Sequence, residues 1–149
     1  IRMDEFLWNK NFLEQIIQSH SSGMFKIAPE SGSNVVLKKM NKTKIEEISR
    51  FIKAFQDLKN QKKINIKLAC YFLIGHPGES EIELKETLQF IQEHKLRGNL
   101  SQIFTPTPMS ISSVMYYTKK NPITNENIFV EKDLKVIEKM KEKVTKSKK

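Results

Sequence analysis

Three short segments concentrate the residues that could do chemistry: Pro29-Glu30-Ser31-Gly32-Ser33, Gly75-His76-Pro77-Gly78-Glu79 and Thr105-Pro106-Thr107-Pro108. Together they offer a carboxylate, small hydroxyls, glycines that let a ligand approach the backbone, and N–H groups left free at helix starts. That set suits a ligand carrying hydroxyl, amine and carboxylate groups. It does not suit a hydrolase, because no Ser/His/Asp set has a recognisable context. The glycines fit neither GxxxxGK[ST] nor GxGxxG, the patterns that cradle phosphates. Taken singly, each residue has a plainer reading. Glu30 can be a first-turn acid favoured by the helix dipole, His76 a hydrogen-bonded loop histidine, and Gly75 and Gly78 servants of a turn. Cys70 reads as an inert core thiol, His20 and His94 as solvated, and Met24, Met40, Met109 and Met115 as packing.

The elements that must position these segments follow from periodicity. Glu5 to Ser19 reads as a helix, with Phe6, Phe12, Leu13, Ile16 and Ile17 near helical spacing. Met24 to Ala28 reads as a strand ended by Pro29. Asn34 to Lys39 reads as a short helix capped by Ser31 or Ser33. Thr43 with Glu46 has the form of a capping box for a helix whose apolar stripe is Ile45, Ile48, Ile52 and Phe55. Ile64 to Ile74 reads as a strand, continuously apolar from Leu68, which predicts burial on both faces. Ser80 with Glu83 caps a further helix that Gly98 closes, and Leu100 to Phe104 is a third strand. The segment from Met109 to Asn127 is loop-rich, with Tyr116 and Tyr117 as a local anchor. Strands alternating with helices give right-handed units with parallel strands. The three candidate segments therefore all leave the C-terminal ends of strands, the face where such folds bind ligands. A closed (β/α)₈ barrel takes about 250 residues, and this chain has room for roughly half of one.

Composition narrows the class. The chain has 149 residues, 38% hydrophobic and 29% charged, which suits one soluble domain. No apolar run approaches the roughly 20 residues of a membrane span, and the first residues show no basic segment followed by an apolar core, so a secretory leader is not expected. A chain starting on Ile1 is expected to be a piece of a longer reading frame, with Met3 as the alternative start. The one cysteine excludes an internal disulfide framework and makes a reducing, cytoplasmic setting the expectation. The net charge of +9 sits partly at the end, where Glu131 to Lys149 holds eight lysines against four acids. Residues 123–149 read as a Lys-rich extension, helical or frayed, and its favoured reading is a solvated helix. Nucleic-acid attraction is the weaker reading, since no arginine cluster or aromatic interleaving accompanies the lysines.

Taken in order, PESGSNVVLKKMNK (Pro29 to Lys42), FLIGHPGESEIELKETLQFI (Phe72 to Ile91) and FTPTPMSISSVMYYT (Phe104 to Thr118) resemble the radical S-adenosylmethionine (SAM) superfamily. The third, with KIAPES before it, resembles the YgiQ-type members, although Ser31 stands where that type often has histidine. The resemblance covers Ser22 to about Pro122. It implies the later part of a partial (β/α) TIM-like barrel, with three parallel strands and flanking helices over residues 1–122. It implies that Glu30 binds the ribose hydroxyls of SAM with Ser31 nearby, and that Leu73 to Gly75, Ile103 and Phe104 line the adenine site. It also implies a [4Fe–4S] cluster in the parent enzyme, held by a CxxxCxxC segment that this chain lacks. No catalytic or metal-binding residue is therefore expected here, and the chain alone is expected to retain neither cofactor. The expected partners are the missing N-terminal half of the barrel, in the same gene or another chain, and a substrate the sequence does not name. A second reading is a non-catalytic assembly module that pairs its exposed half barrel with another chain.

Overall fold

The structure is a computed structural model that describes residues 10–19, 23–97 and 99–147. Its elements are α1 (Lys10–Ser19), β1 (Met24–Glu30), α2 (Asn34–Lys39), α3 (Ile45–Gln61), β2 (Lys67–Ile74), α4 (Glu81–Glu93), β3 (Leu100–Ile103), α5 (Ile111–Thr118) and α6 (Leu134–Lys146). The expected first helix matches α1 from Lys10 onward; Glu5 to Asn9, His20 and Gly98 lie outside the described residues.

The three strands form one parallel sheet in the order β1-β2-β3. Because the order never reverses, right-handed crossovers place every connecting helix on the same face. Burial along the strands agrees. Phe25 and Ile27 on β1, and Cys70, Phe72 and Ile74 on β2, are sealed beneath the helices. On the other face Met24 and Leu100 are 48% and 46% exposed, and Tyr71 and Leu73 are only half-buried. A three-stranded parallel sheet with helices on one side is the arrangement of a partial β/α barrel, as expected, and its open face is the side that turns inward in a barrel. The apolar run of β2 predicted burial on both faces. The helix side is closed over Cys70, Phe72 and Ile74, and among the described residues no layer covers the other.

The core packs between sheet and helices. Ile48, Phe51, Ile52 and Phe55 recur at helical spacing on α3 and are all buried. Phe25 from β1 meets the Phe51 and Phe55 rings at 6.3 and 5.5 Å between centroids. Ile137, Met140 and Val144 of α6 belong to the same cluster. Each such burial stabilises by about 2 kcal/mol relative to exposure. The last helix, expected to be solvated, thus seats one face on β2, β3 and α4 and leaves its lysines outside. The stripe at 137, 140 and 144 was present in the sequence, hidden by the surrounding charge.

Of two capping boxes read from the sequence, one forms and one does not. Ser80 and Glu83 do form a capping box, with the Ser80 amide donating to Glu83 Oε2 at 2.8 Å. Thr43 does not cap α3. Lys44 occupies the cap position, and Asn34 Oδ1 accepts from the Ile45 amide at 2.8 Å while Asn34 Nδ2 donates to Glu46 at 2.9 Å. A side chain eleven residues upstream supplies what a local box would have given.

Candidate functional site

The first loop begins inside β1. Pairing runs Ile27 with Cys70 and then Glu30 with Phe72, so β1 carries one residue more than β2 over this step. Pro29 has no N–H to give to a ladder, and a bulge absorbs it. The strand therefore continues past Pro29 to Glu30, which takes φ 71. That left-handed conformation costs a non-glycine residue about 1–2 kcal/mol, and such outliers gather where a side chain must be aimed. The Glu30 carboxylate is 17% exposed and accepts from Lys42 Nζ at 3.3 Å. Beneath it the turn is fixed to α4. The Gly32 amide donates to Thr87 Oγ1 at 2.9 Å, and the Ser33 amide donates to Ser31 Oγ at 3.1 Å. A Cβ on Gly32 would lie 2.5 Å from Thr87 Cα, so only glycine allows this approach. Ser31 is fully buried and its hydroxyl serves the turn.

The second loop turns its polar groups inward. Glu79 is 1% exposed; its Oε2 accepts from the Gly75 amide at 2.5 Å, while Oε1 is buried with no partner among the described residues. Burial raises its carboxyl to about 7, with the Gly75 hydrogen bond opposing and neighbouring Glu83 adding to the shift. His76 is 2% exposed, and burial lowers it to about 4, so its ring is neutral at pH 7. Its Nδ1 lies 2.9 Å from the Pro77 carbonyl and its Nε2 2.8 Å from Ser112 Oγ on α5. The carbonyl can only accept, which assigns the proton to Nδ1 and leaves Nε2 to accept from the serine. The Gly78 amide donates to the Phe129 carbonyl at 2.7 Å. Gly75 has φ 78, and a Cβ there would meet Ile137 Cγ2 at 3.0 Å. The closest packing on this glycine comes from the protein's own α6.

The third loop joins the others through Phe104. Its amide donates to the Ile74 carbonyl at 2.7 Å, and its ring stands 5.1 Å from His76 and 5.9 Å from Tyr116. The Thr107 carbonyl accepts from the Ser110 and Ser113 hydroxyls at 3.1 and 2.6 Å. Tyr116 packs on the small cluster of Met115, Ile128 and Val130 with Lys132 Nζ 5.0 Å over its ring, as an anchor would; Tyr117 is 70% exposed.

Glu30, Ser31, Leu73, Gly75, Ile103 and Phe104 thus share one rim, the C-terminal ends of three adjacent strands. Glu30, Leu73 and Phe104 keep exposed surface. Ser31 and Gly75 are buried, and Ile103 packs toward the core. Sequence reasoning missed Lys42, the cation on Glu30, and Ser112 and Thr87, which hold two of the loops. Lys42, Thr87 and Ser112 all lie within the resembling segments, where the sequence reading gives none of them a role. His94, expected to be solvated, is half-buried and bonds Ser49 Oγ at 3.0 Å. Cys70 is fully buried, and burial raises its thiol to about 12. Among the described residues no group of three His, Cys, Asp or Glu could hold a metal ion, and no helix is long and apolar enough to cross a membrane.

Comparison with known proteins bears on this rim. A domain of unknown function, DUF3362, matches residues 99–147, from β3 through α6. A Fusobacterium nucleatum UPF0313 protein is 34% identical over 148 residues, covering 99% of this chain and 26% of its own length. A Clostridium botulinum (strain Loch Maree) UPF0313 protein is 36% identical over 137 residues, covering 91% of this chain and 21% of its own length. A Thermotoga neapolitana UPF0313 protein is 37% identical over 148 residues, covering 97% and 26%. The chain's relatives are UPF0313 proteins. It spans about a quarter of the length of the curated relatives it matches.

Proposed function

We propose that this chain forms the SAM-holding part of a radical-SAM core in a longer protein of the UPF0313 kind, the YgiQ type that its strand-end loops resemble. The observation that carries the reading is Glu30. A carboxylate is held at a strand end in a costly conformation, by a bulge and a loop nailed to α4, with part of its surface open. Its oxygens accept from vicinal ribose hydroxyls, one of them after release from Lys42. Leu73 and Phe104 offer apolar surface on the same rim for a planar base. Ser31 and Gly75 act indirectly, by fixing their turns. A [4Fe–4S] cluster does not fit this chain, whose one thiol is buried and held protonated. With a cluster supplied from elsewhere in the parent, SAM provides a 5′-deoxyadenosyl radical that abstracts hydrogen from a substrate.

Equilibrium dialysis of SAM against the protein joined to its cluster-bearing part, in one chain or two, tests the site. Glu30→Ala is expected to cut retention at least about tenfold, the worth of one charge-assisted hydrogen bond. Anaerobic reconstitution with iron and sulfide tests the class. No cluster absorbance and no 5′-deoxyadenosine would sink it.

One observation favours a second reading, the assembly module. The open face carries Met24, Leu100, Tyr71 and Leu73, and among the described residues no strand pairs with the outer edge of β1 or β3. Light scattering on the isolated chain separates the two. A clean monomer counts against self-assembly, and a defined dimer favours it.

A further inference from the structure

The opposite end of the strands carries a second concentration of charge. A cleft of about 530 Å³ opens where β2 begins and where α3 and α4 end. Its rim holds Lys59, Lys67, Lys95 and Arg97, and no carboxylate lines it. None of the four cations forms an ion pair among the described residues. Of the nearest acids in sequence, Asp57 does not line the cleft, and Glu93 accepts from Gln89 at 2.7 Å and lines a different cleft. The floor is apolar: Phe55 and Leu96 are buried, Leu68 is half-buried, and Met24 is 48% exposed.

The plain account is that the cations complement two helix C-termini. Each terminus is worth about −0.5 charge. Two of them offset one of the four cations and leave roughly +3 around an apolar floor. A singly charged ligand leaves most of that field unmatched. A compact polyphosphate matches it, since lysine serves phosphates as a point charge. The volume lies within the roughly 300–1,000 Å³ of small-molecule sites, and the exposed Met24 thioether makes favourable contact with aromatic rings. We propose that this cleft binds a nucleoside di- or triphosphate, its phosphates among Lys59, Lys67, Lys95 and Arg97 and its base against Met24. The inference is independent of the Glu30 rim.

Isothermal titration of the chain with ATP, AMP, adenosine, inorganic tripolyphosphate and a ten-nucleotide single-stranded RNA tests it. ATP is expected to bind at a single site, at least tenfold more tightly than AMP, with adenosine silent and tripolyphosphate weaker than ATP. Lys67→Gln and Arg97→Gln, both at exposed positions, should each weaken ATP about fivefold, the effect of one charge at about 4 Å in water. Lys139→Gln with Lys143→Gln, on the outer face of α6, should leave ATP binding unchanged. The proposal is overturned by absence of saturable ATP binding at millimolar concentration. It is equally overturned if the cleft variants bind as the parent does, if the α6 variant loses ATP binding, or if the RNA binds more tightly than ATP.

Discussion

The loops after β1 and β2 end adjacent parallel strands and carry similar residue types, yet they use them in opposite senses. The loop after β1 spends its backbone and hydroxyls on anchoring and presents its carboxylate outward in a strained conformation. The loop after β2 buries its carboxylate and imidazole and gives both to the protein itself: Glu79 to the Gly75 amide, His76 to Ser112. A carboxylate at a strand end is therefore not evidence of a ligand until its partners are known. Glu30 has one partner that a ligand can displace. Glu79 is a strut.

The largest test removes the footing of the first loop. Gly32→Ala would drive a methyl into the Thr87 backbone and break the Gly32 amide bond to Thr87. It is expected to cost about 3 kcal/mol, overpacking plus an unsatisfied buried donor. Urea unfolding should show a lower midpoint at unchanged slope. A loss under about 1 kcal/mol would mean the loop floats, and the contrast between the two loops would fail.

The second test addresses whether Glu79 is a strut. Its folded carboxyl is raised to about 7 from the ordinary 4.5. Between these values the native state binds more protons than the unfolded one. Its contribution is thus complete below about pH 4.5 and is lost as pH rises through 7. His76 runs the other way. Its folded value is lowered from 6.5 to about 4, so its contribution is complete above 6.5 and lost as pH falls toward 4. From pH 4.5 to 6.5 the two slopes oppose each other. Glu79→Gln keeps an oxygen for the Gly75 amide and removes the falling slope. The variant should match the parent near pH 4.5 and exceed it at pH 8 by on the order of 2–3 kcal/mol. Parallel stability–pH curves would show that Glu79 is not the buried acid it appears by geometry.

Much of this fold was legible because its signals are local. The helix and strand periods, the Ser80–Glu83 box and the three strand ends all lie within a few residues of what they determine. The misreadings share one cause, a partner far along the chain. Asn34 rather than Thr43 caps α3, and β2, β3 and α4 take up the apolar face of a last helix expected to be solvated. Pro29 signalled the end of a strand, and β2 carried the pairing on past it through a bulge. The rim itself could be read, since parallel strands must gather their C-terminal ends. Which rim residues face outward could not, because that depends on what α4 and α6 already occupy.

A smaller effect tests the hydrogen bond between Ser112 and His76. Ser112→Ala leaves His76 Nε2 buried without its donor, which should cost about 1 kcal/mol. The loss should persist at pH 8, where His76 is neutral in both states, because the missing hydrogen bond is to the neutral ring.

The smallest expected effect has the opposite sign. Glycine takes φ near 70° without penalty, so Glu30→Gly relieves the strain of that position. It also gives up the half-exposed pair with Lys42, worth about 0–1 kcal/mol, and frees the unfolded chain. The net should be a gain of about 0.5 kcal/mol, a small rise in the urea midpoint. Glu79→Gly should instead destabilise at every pH, since it opens a cavity and strands the Gly75 amide. A residue whose removal stabilises the protein is kept for something other than stability. If Glu30→Gly destabilises by as much as Glu79→Gly, Glu30 is a strut too, and the outward-facing carboxylate loses its claim to a ligand.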